Sequence, residues 1–328
     1  MSTILNFNIT VTLLVQSMGD WLGIPMMLFS FLGNEIFYLF VAPILYWCIN
    51  ARLGFRLGLL LMISGAVNSN LKIIFHHPRP YWYSSEVSAY SSESSFGFPS
   101  GHAQNAVVVW GTIANWIRRL WTSILAISII FLIGFSRIYL GVHSPSDVIA
   151  GWLVGVLILW IFVKCEEPVS RWLGVLGPYY QTLVALSVSL SMVFIGVITL
   201  NNLGDWTIPE SWIVTAAQAA PEAETIDPLA LSGMVSNAGA FIGMAAGWIF
   251  IKHNGGFDAG GKWWQRLVRF GIGLLIVGII WAGLRVVFPQ GENVASLSLR
   301  YIRYALVGFW IIGLAPYFFV RLKLANRS

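Results

Sequence analysis

Three short stretches concentrate the side chains that could do chemistry. Residues 136–147 read Ser-Arg-Ile-Tyr-Leu-Gly-Val-His-Ser-Pro-Ser-Asp and place Arg137, His143 and Asp147 at the junction of two apolar runs. Residues 72–80 read Lys-Ile-Ile-Phe-His-His-Pro-Arg-Pro, and residues 99–102 read Pro-Ser-Gly-His. A charge at the centre of a membrane span costs roughly 2.5–3.5 kcal/mol on insertion scales. Several titratable groups this close to hydrocarbon therefore need a compensating partner or task.

Lys72 and Arg79 bracket the end of one apolar run, and Arg137 ends another. Converging at one depth, these cations would hold a polyanion. Phosphate suits them, since a guanidinium grips its oxygens bidentately and Lys adds a point charge. Taken singly, each could merely snorkel to an interface, but three on an otherwise cation-poor face favour a joint site. Ser100 suits an N-cap, Gly101 allows close backbone approach, and the amides at a helix start favour an anion. Capping alone would leave His102 unexplained at the membrane boundary. In His143-Ser144-Pro145-Ser146-Asp147, Ser144 is a plausible N-cap, Pro145 an N1 residue and Asp147 an N3 residue. Asp147 could also bond one imidazole nitrogen of His143, setting its tautomer and freeing the other nitrogen to attack. The two roles are compatible.

Assembled, these parts suit phosphoryl transfer. One histidine attacks phosphorus, the other protonates the leaving oxygen, and cations with amides stabilise the equatorial oxygens. No carboxylate cluster and no His/Cys/Asp set has ligand spacing, so neither a metal nor another cofactor is expected.

The elements that must position these groups are membrane helices. The 328 residues are 57% hydrophobic and only 10% charged, with a mean hydropathy of +0.74. That composition is a membrane protein's. Sixteen Trp and eleven Tyr suit two membrane–water interfaces. A net charge of +5 without a basic stripe gives no sign of nucleic-acid binding. Cys48 and Cys165 imply no disulfide framework, and the amino terminus lacks the basic region of a signal peptide.

Residues 4–22 are interrupted by Asn6, Asn8, Gln16 and Asp20 and predict an interfacial amphipathic helix. Nine spans follow, at approximately 27–49, 57–75, 102–117, 123–141, 147–164, 178–200, 229–251, 268–288 and 300–320, using about 20 apolar residues per crossing. The expected fold is an all-α polytopic bundle. It comprises an N-terminal segment 1–26, a catalytic bundle 27–175 and C-terminal helices 176–328. Lys and Arg fall in alternate connections, which places the amino terminus outside, the carboxyl terminus in the cytoplasm and all three stretches on the extracytoplasmic face. The Ser-rich connection 81–98 reads most simply as a solvent loop. Its functional reading is a lid or substrate-access segment, because it joins two of the stretches.

Lys72-(six residues)-Arg79-Pro80, Pro99-Ser100-Gly101-His102 and Ser136-Arg137-(five residues)-His143-(three residues)-Asp147 resemble the three-part signature of the type 2 phosphatidate phosphatase and vanadium haloperoxidase superfamily. Residue type, spacing and order match over about residues 60–160, with no departure at the signature positions. The resemblance implies that His143 is the nucleophile forming a phosphohistidine and Asp147 its orienting partner. It makes His102 the general acid and then the base for water. Lys72, Arg79, Ser100, Gly101 and Arg137 would bind phosphate. The span count, its sidedness and the run Arg79-Pro80-Tyr81-Trp82 are also similar to the glucose-6-phosphatase branch, whereas many bacterial members have about six spans.

The leading expectation is a phosphatase acting on a lipid monophosphate or diphosphate at the outer leaflet, such as phosphatidate, phosphatidylglycerophosphate or a polyprenyl diphosphate. The bilayer would be its partner, the cell inner membrane its site, and a homo-oligomer is compatible. A sugar-phosphate phosphatase and a lipid phosphotransferase are the alternatives within this chemistry. A carrier without chemistry would instead use Glu35 and Arg285 to line a path. Asn68 and Asn70 read as support for the site or as helix glue. His76 and His77 could tune substrate choice, and His253 reads as solvated.

Overall fold

The computed structural model describes residues 2–328, with side chains from Ile4 onward. All regular elements among these residues are helical. They are α1 (Ser2–Gln16), α2 (Gly23–Phe31), α3 (Glu35–Ile44), α4 (Ala51–Phe75), α5 (Pro80–Tyr83), α6 (Gly101–Ile117) and α7 (Leu120–Tyr139). Then come α8 (Pro145–Gly174), α9 (Pro178–Asn201), α10 (Glu210–Ala219), α11 (Ser232–His253), α12 (Trp263–Val287), α13 (Val294–Phe309) and α14 (Ala315–Arg321). The protein is a multi-pass integral membrane protein.

The count of nine spans is approximate. Seven helical stretches among the described residues are long and apolar enough to cross a membrane. They correspond to seven of the nine expected spans. The third, α6, has 17 residues and is shorter than the rest. The first is broken rather than continuous. The α2 helix stops at Phe31, and Asn34 Oδ1 accepts the Ile36 amide at 2.8 Å, starting α3 afresh. A Cβ at Gly33 would sit 2.7 Å from Ile133 Cγ2, so the break is also a close approach to α7. Pro43 lies inside α3, and a π turn at Leu45–Ile49 follows it. The N-terminal stretch is helical as expected, and it bends by 87° into the segment Asp20–Phe31.

Two compact units share the chain. One comprises residues up to Phe37, Val67–Trp160 and Gly196–Ala230. Its apolar core gathers Leu22, Met26, Tyr81, Trp82, Phe96, Tyr139 and Val142. Within it α8 lies against α6 through Gly151 and Gly155, one turn apart. A Cβ on Gly151 would stand 2.5 Å from Ser100 O, and one on Gly155 would stand 2.7 Å from Gln104 O. Small residues at this spacing let membrane helices approach backbone to backbone.

The other unit comprises Tyr38–Ala66, Ile161–Ile195 and Leu231–Ser328. Its core includes Tyr46, Trp47, Trp310, Ile312 and Phe319. Here α11 presents Gly239 and Gly243 to α13, where added Cβ atoms would meet Tyr301 O at 2.4 Å and Ala305 O at 2.0 Å. Arg56 and Glu166 form an ion pair in this unit.

Candidate active site

All eight residues singled out from the sequence lie in the first unit. The turn between α7 and α8 sets the central pair. Gly141 adopts φ +75°, and a Cβ there would lie 2.3 Å from Ser88 O, so the position requires glycine. The His143 amide then donates to Arg137 O at 3.2 Å. Ser144 and Asp147 cap α8 reciprocally. The Ser144 amide donates to Asp147 Oδ2 at 2.7 Å, and the Asp147 amide donates to Ser144 Oγ at 3.3 Å. Asp147 Oδ2 also lies 3.6 Å from His143 Nδ1, so one carboxylate serves the cap and faces the imidazole.

The other face of that ring meets a cation. Arg79 Nη1 lies 3.2 Å from His143 Nε2. A guanidinium nitrogen can only donate, so Nε2 must present its lone pair and the proton sits on Nδ1, toward Asp147. Burial, then the charges of Arg79, Arg137 and Lys72, push the His143 imidazolium well below the ordinary histidine range. The ring is held neutral.

The three cations converge through one loop, residues 84–98. Lys72 Nζ donates to Ser95 Oγ at 2.7 Å. Arg79 donates from Nε to Ser95 O at 2.6 Å and from Nη2 to Ser95 Oγ at 3.1 Å, and from Nη1 to Val142 O at 2.9 Å. Arg137 pairs with the Glu93 carboxylate and donates to Ser30 Oγ at 2.6 Å. The same carboxylate is 3.9 Å from Arg79. Burial alone would raise Glu93, but Arg137 and Arg79 outweigh it and hold the carboxyl below the usual range. The loop is therefore not a solvent loop, because its Glu93–Ser95 segment fills the cation cluster and its Val87 and Phe96 are buried.

Ser100 caps α6, accepting the Ala103 amide at 3.4 Å, and its own amide donates to Asp147 O at 2.9 Å. The first-turn amides of α6 have no intrahelical partner. A Cβ at Gly101 would stand 3.0 Å from Asn68 Oδ1. Asn68 in turn donates to Pro99 O at 3.2 Å and to Gln104 Oε1 at 3.0 Å, so it braces this stretch. His102, the second residue of α6, keeps a buried Nε2 with no partner.

Of the neighbouring histidines, His77 Nδ1 stands 4.0 Å from Asp147 Oδ1, and the His76 ring lies 4.9 Å from that of Trp206. Sequence reading missed Glu93, Ser95 and Ser30. It also missed the role of α1, whose Asn8 donates to Ser146 Oγ at 2.8 Å and whose Gln16 donates to Tyr139 O at 3.0 Å. The polar residues that interrupt α1 are the signal for this, since Asn8 and Thr12 are buried. Glu35 and Arg285 are exposed. Among the described residues no three His, Cys, Asp or Glu side chains are grouped so that they could hold a metal ion.

Two stretches of the chain match models of one known family. Residues 53–171 match the PAP2 superfamily, and residues 235–327 match the transmembrane extension of PAP2 superfamily phosphatases. The chain belongs to the PAP2 superfamily, carrying its core domain followed by that extension. It is 25% identical to human glucose-6-phosphatase 3 over 63% of this chain and 66% of that protein. It is 38% identical to phosphatidylglycerophosphatase B of Bacillus subtilis over 24% of this chain and 43% of that protein. The chain thus spans less than two thirds of the length of each. Among solved structures, the transmembrane PAP2-type phosphatidylglycerolphosphate phosphatase of Bacillus subtilis is similar, with a TM-score of 0.46 and 26% identity. That match covers 51% of this chain and 88% of that one.

Proposed function

We propose that the protein is a phosphatase that hydrolyses a lipid phosphate monoester or diphosphate through a phosphohistidine. The observation that carries this reading is the His143 ring, with Nδ1 toward Asp147 and Nε2 toward the cation cluster. In the first step His143 Nε2 attacks phosphorus, the N–P bond forms and the bond to the leaving oxygen breaks. His102 gives that oxygen a proton. Lys72, Arg79, Arg137 and the α6 amides with Ser100 and Gly101 hold the equatorial oxygens. In the second step His102 takes a proton from water, the hydroxide oxygen attacks phosphorus, and the P–N bond breaks to release phosphate. Asp147 keeps the Nδ1 proton in place throughout.

Glu93 and Ser95 now occupy these cations, so in this reading substrate phosphate displaces the loop from them. A lipid substrate fits a site carried at the ends of membrane helices, where a headgroup reaches it while its tail stays in hydrocarbon. Relatives named as lipid phosphate phosphatases, phosphatidylglycerophosphatase and undecaprenyl-diphosphatase support this reading. The longer alignment with glucose-6-phosphatase 3 favours a sugar phosphate as the second reading. The Lys/Arg bias supports an extracytoplasmic site in the inner membrane.

The test is phosphate release by purified protein in detergent with chelator present. Substrates are phosphatidate, phosphatidylglycerophosphate, undecaprenyl diphosphate and glucose 6-phosphate. Release from a lipid substrate that His143→Ala abolishes supports the proposal. Release from glucose 6-phosphate alone supports the second reading, and no release from a folded protein contradicts both.

A further inference from the structure

Four arginines are buried among the described residues: Arg79, Arg137, Arg269 and Arg303. Three have acceptors. Arg79 and Arg137 have the loop residues described above, and Arg269 donates to Ala259 O at 2.8 Å, Gly260 O at 2.9 Å and Asp258 O at 3.3 Å. Arg303 has none. It is 3% exposed, its Nε is enclosed without a partner, and its one close neighbour of note is the Tyr304 ring, 5.3 Å away. Among the described residues no carboxylate forms an ion pair with Arg303, and Glu292, in the connection before α13, accepts the Leu231 amide at 2.9 Å. Removing a guanidinium from water without a counter-charge or acceptor costs several kcal/mol.

Arg303 does not stand alone. Ser296, Arg300 and Arg303 occupy positions i, i+4 and i+7 of α13 and so share one face. All three line a narrow crevice closed by Pro289, Gln290 and Gly291 of the connection from α12. Ser296 is 2% exposed, and its Oγ also lacks a partner. Arg300 is half-buried and reaches only Ser236 Oγ, at 3.4 Å. The crevice thus offers two guanidinium groups and one hydroxyl and holds no carboxylate.

We propose that Ser296, Arg300 and Arg303 form a second anion site in the C-terminal helices, built to bind a phosphate group. Two planar forks and a hydroxyl suit tetrahedral phosphate oxygens. The group enters when the exposed Gln290 side chain, now held by Arg285 O and Phe288 O at 2.9 Å each, swings aside. Val286, Val287 and Val294 beside the crevice are strongly exposed. Such an apolar rim places the mouth against lipid, so the phosphate is that of a membrane lipid headgroup. The site is separate from the His143 centre and does not depend on the activity proposed for it.

The test is native mass spectrometry of delipidated protein in detergent, for the unaltered chain, Arg300→Gln and Arg303→Met. Probes are dioleoylphosphatidylglycerol, dioleoylglycerol and inorganic phosphate. The phosphate group at the active site is gripped by other residues, so a response to Arg300 and Arg303 isolates this crevice. Phosphatidylglycerol should bind the unaltered chain and bind at least tenfold more weakly to both variants. Dioleoylglycerol should not bind. Arg300→Gln removes only a half-buried mouth residue, so it decides the matter if Arg303→Met does not fold. Inorganic phosphate binding with the same tenfold loss, and no preference for the lipid, would keep the anion site and make free phosphate its ligand. Equal phosphatidylglycerol binding by the unaltered chain and Arg300→Gln, or equal binding of dioleoylglycerol, would overturn the proposal.

Discussion

The Glu93 carboxylate is ion-paired with the Arg137 guanidinium, 44 residues further along the chain. Two residues after Glu93, Ser95 accepts from both Lys72 and Arg79. The cations proposed to grip phosphate are therefore already occupied by a carboxylate and a hydroxyl of the protein's own loop. That arrangement satisfies buried charges in the resting state, and it sets a competition between loop and substrate for the same guanidinium groups.

Glu93→Gln tests the competition. Removing the charge should lower KM, and the inhibition constant for inorganic phosphate, by about tenfold, a change of about 1.4 kcal/mol. It should also make thermal stability depend on added phosphate, because Arg137 then lacks its internal counter-charge. A KM that rises instead would show that Glu93 serves to hold Arg137 in place for substrate.

The acid limb of activity should report His143. Its protonated form cannot attack, and burial with the surrounding cations pushes its protonation well below the ordinary value of 6.5. The imidazole is therefore neutral and competent as pH falls through 6.5, and kcat/KM should hold there before declining at lower pH. A decline centred at or above 6.5 in a pH–rate profile would contradict this environment.

Asp147 has two functions that substitution can separate. In Asp147→Asn the amide oxygen still accepts the Ser144 amide, so stability should fall by no more than about 1 kcal/mol. The imidazole loses the carboxylate charge that faces Nδ1, and kcat should fall by up to about 10⁴-fold, as when a catalytic triad loses its orienting carboxylate. Ser144→Ala should do the reverse, costing about 1 kcal/mol of stability with a small effect on kcat. Denaturation and turnover measured on the same preparations check both.

The α6–α8 contact should tolerate no bulk. Gly155→Leu places side-chain atoms where Gln104 O already stands. The expected loss is about 1–3 kcal/mol from overpacking, with reduced turnover, since α6 carries His102 and α8 carries Asp147. Unchanged melting and activity would mean that the helices are not held this closely.

The three stretches were legible because each keeps its chemistry within twelve residues or fewer, at spacings that helix starts and turns enforce. Glu93 was not. A lone glutamate in a Ser-rich loop carries no periodicity, and its partner is set by the fold. The same holds for Asn8, whose contact with Ser146 joins residues 138 positions apart. Hydropathy located seven of the nine spans but could not see that Gly33 and Asn34 break the first, because an apolar run reads the same across a kink. Gly151 and Gly155 announce a close contact one turn apart, but only the structure names Ser100 and Gln104 as what they approach.

The central claim, covalent chemistry at His143, is tested most directly by trapping. Purified protein would be mixed with ³²P-labelled phosphatidate or phosphatidylglycerophosphate, quenched in alkali within milliseconds and digested for peptide mapping. The account predicts an alkali-stable, acid-labile label on the peptide containing His143, absent from His143→Ala. Rapid release of phosphate with no labelled peptide, or a label that survives His143→Ala, would contradict it.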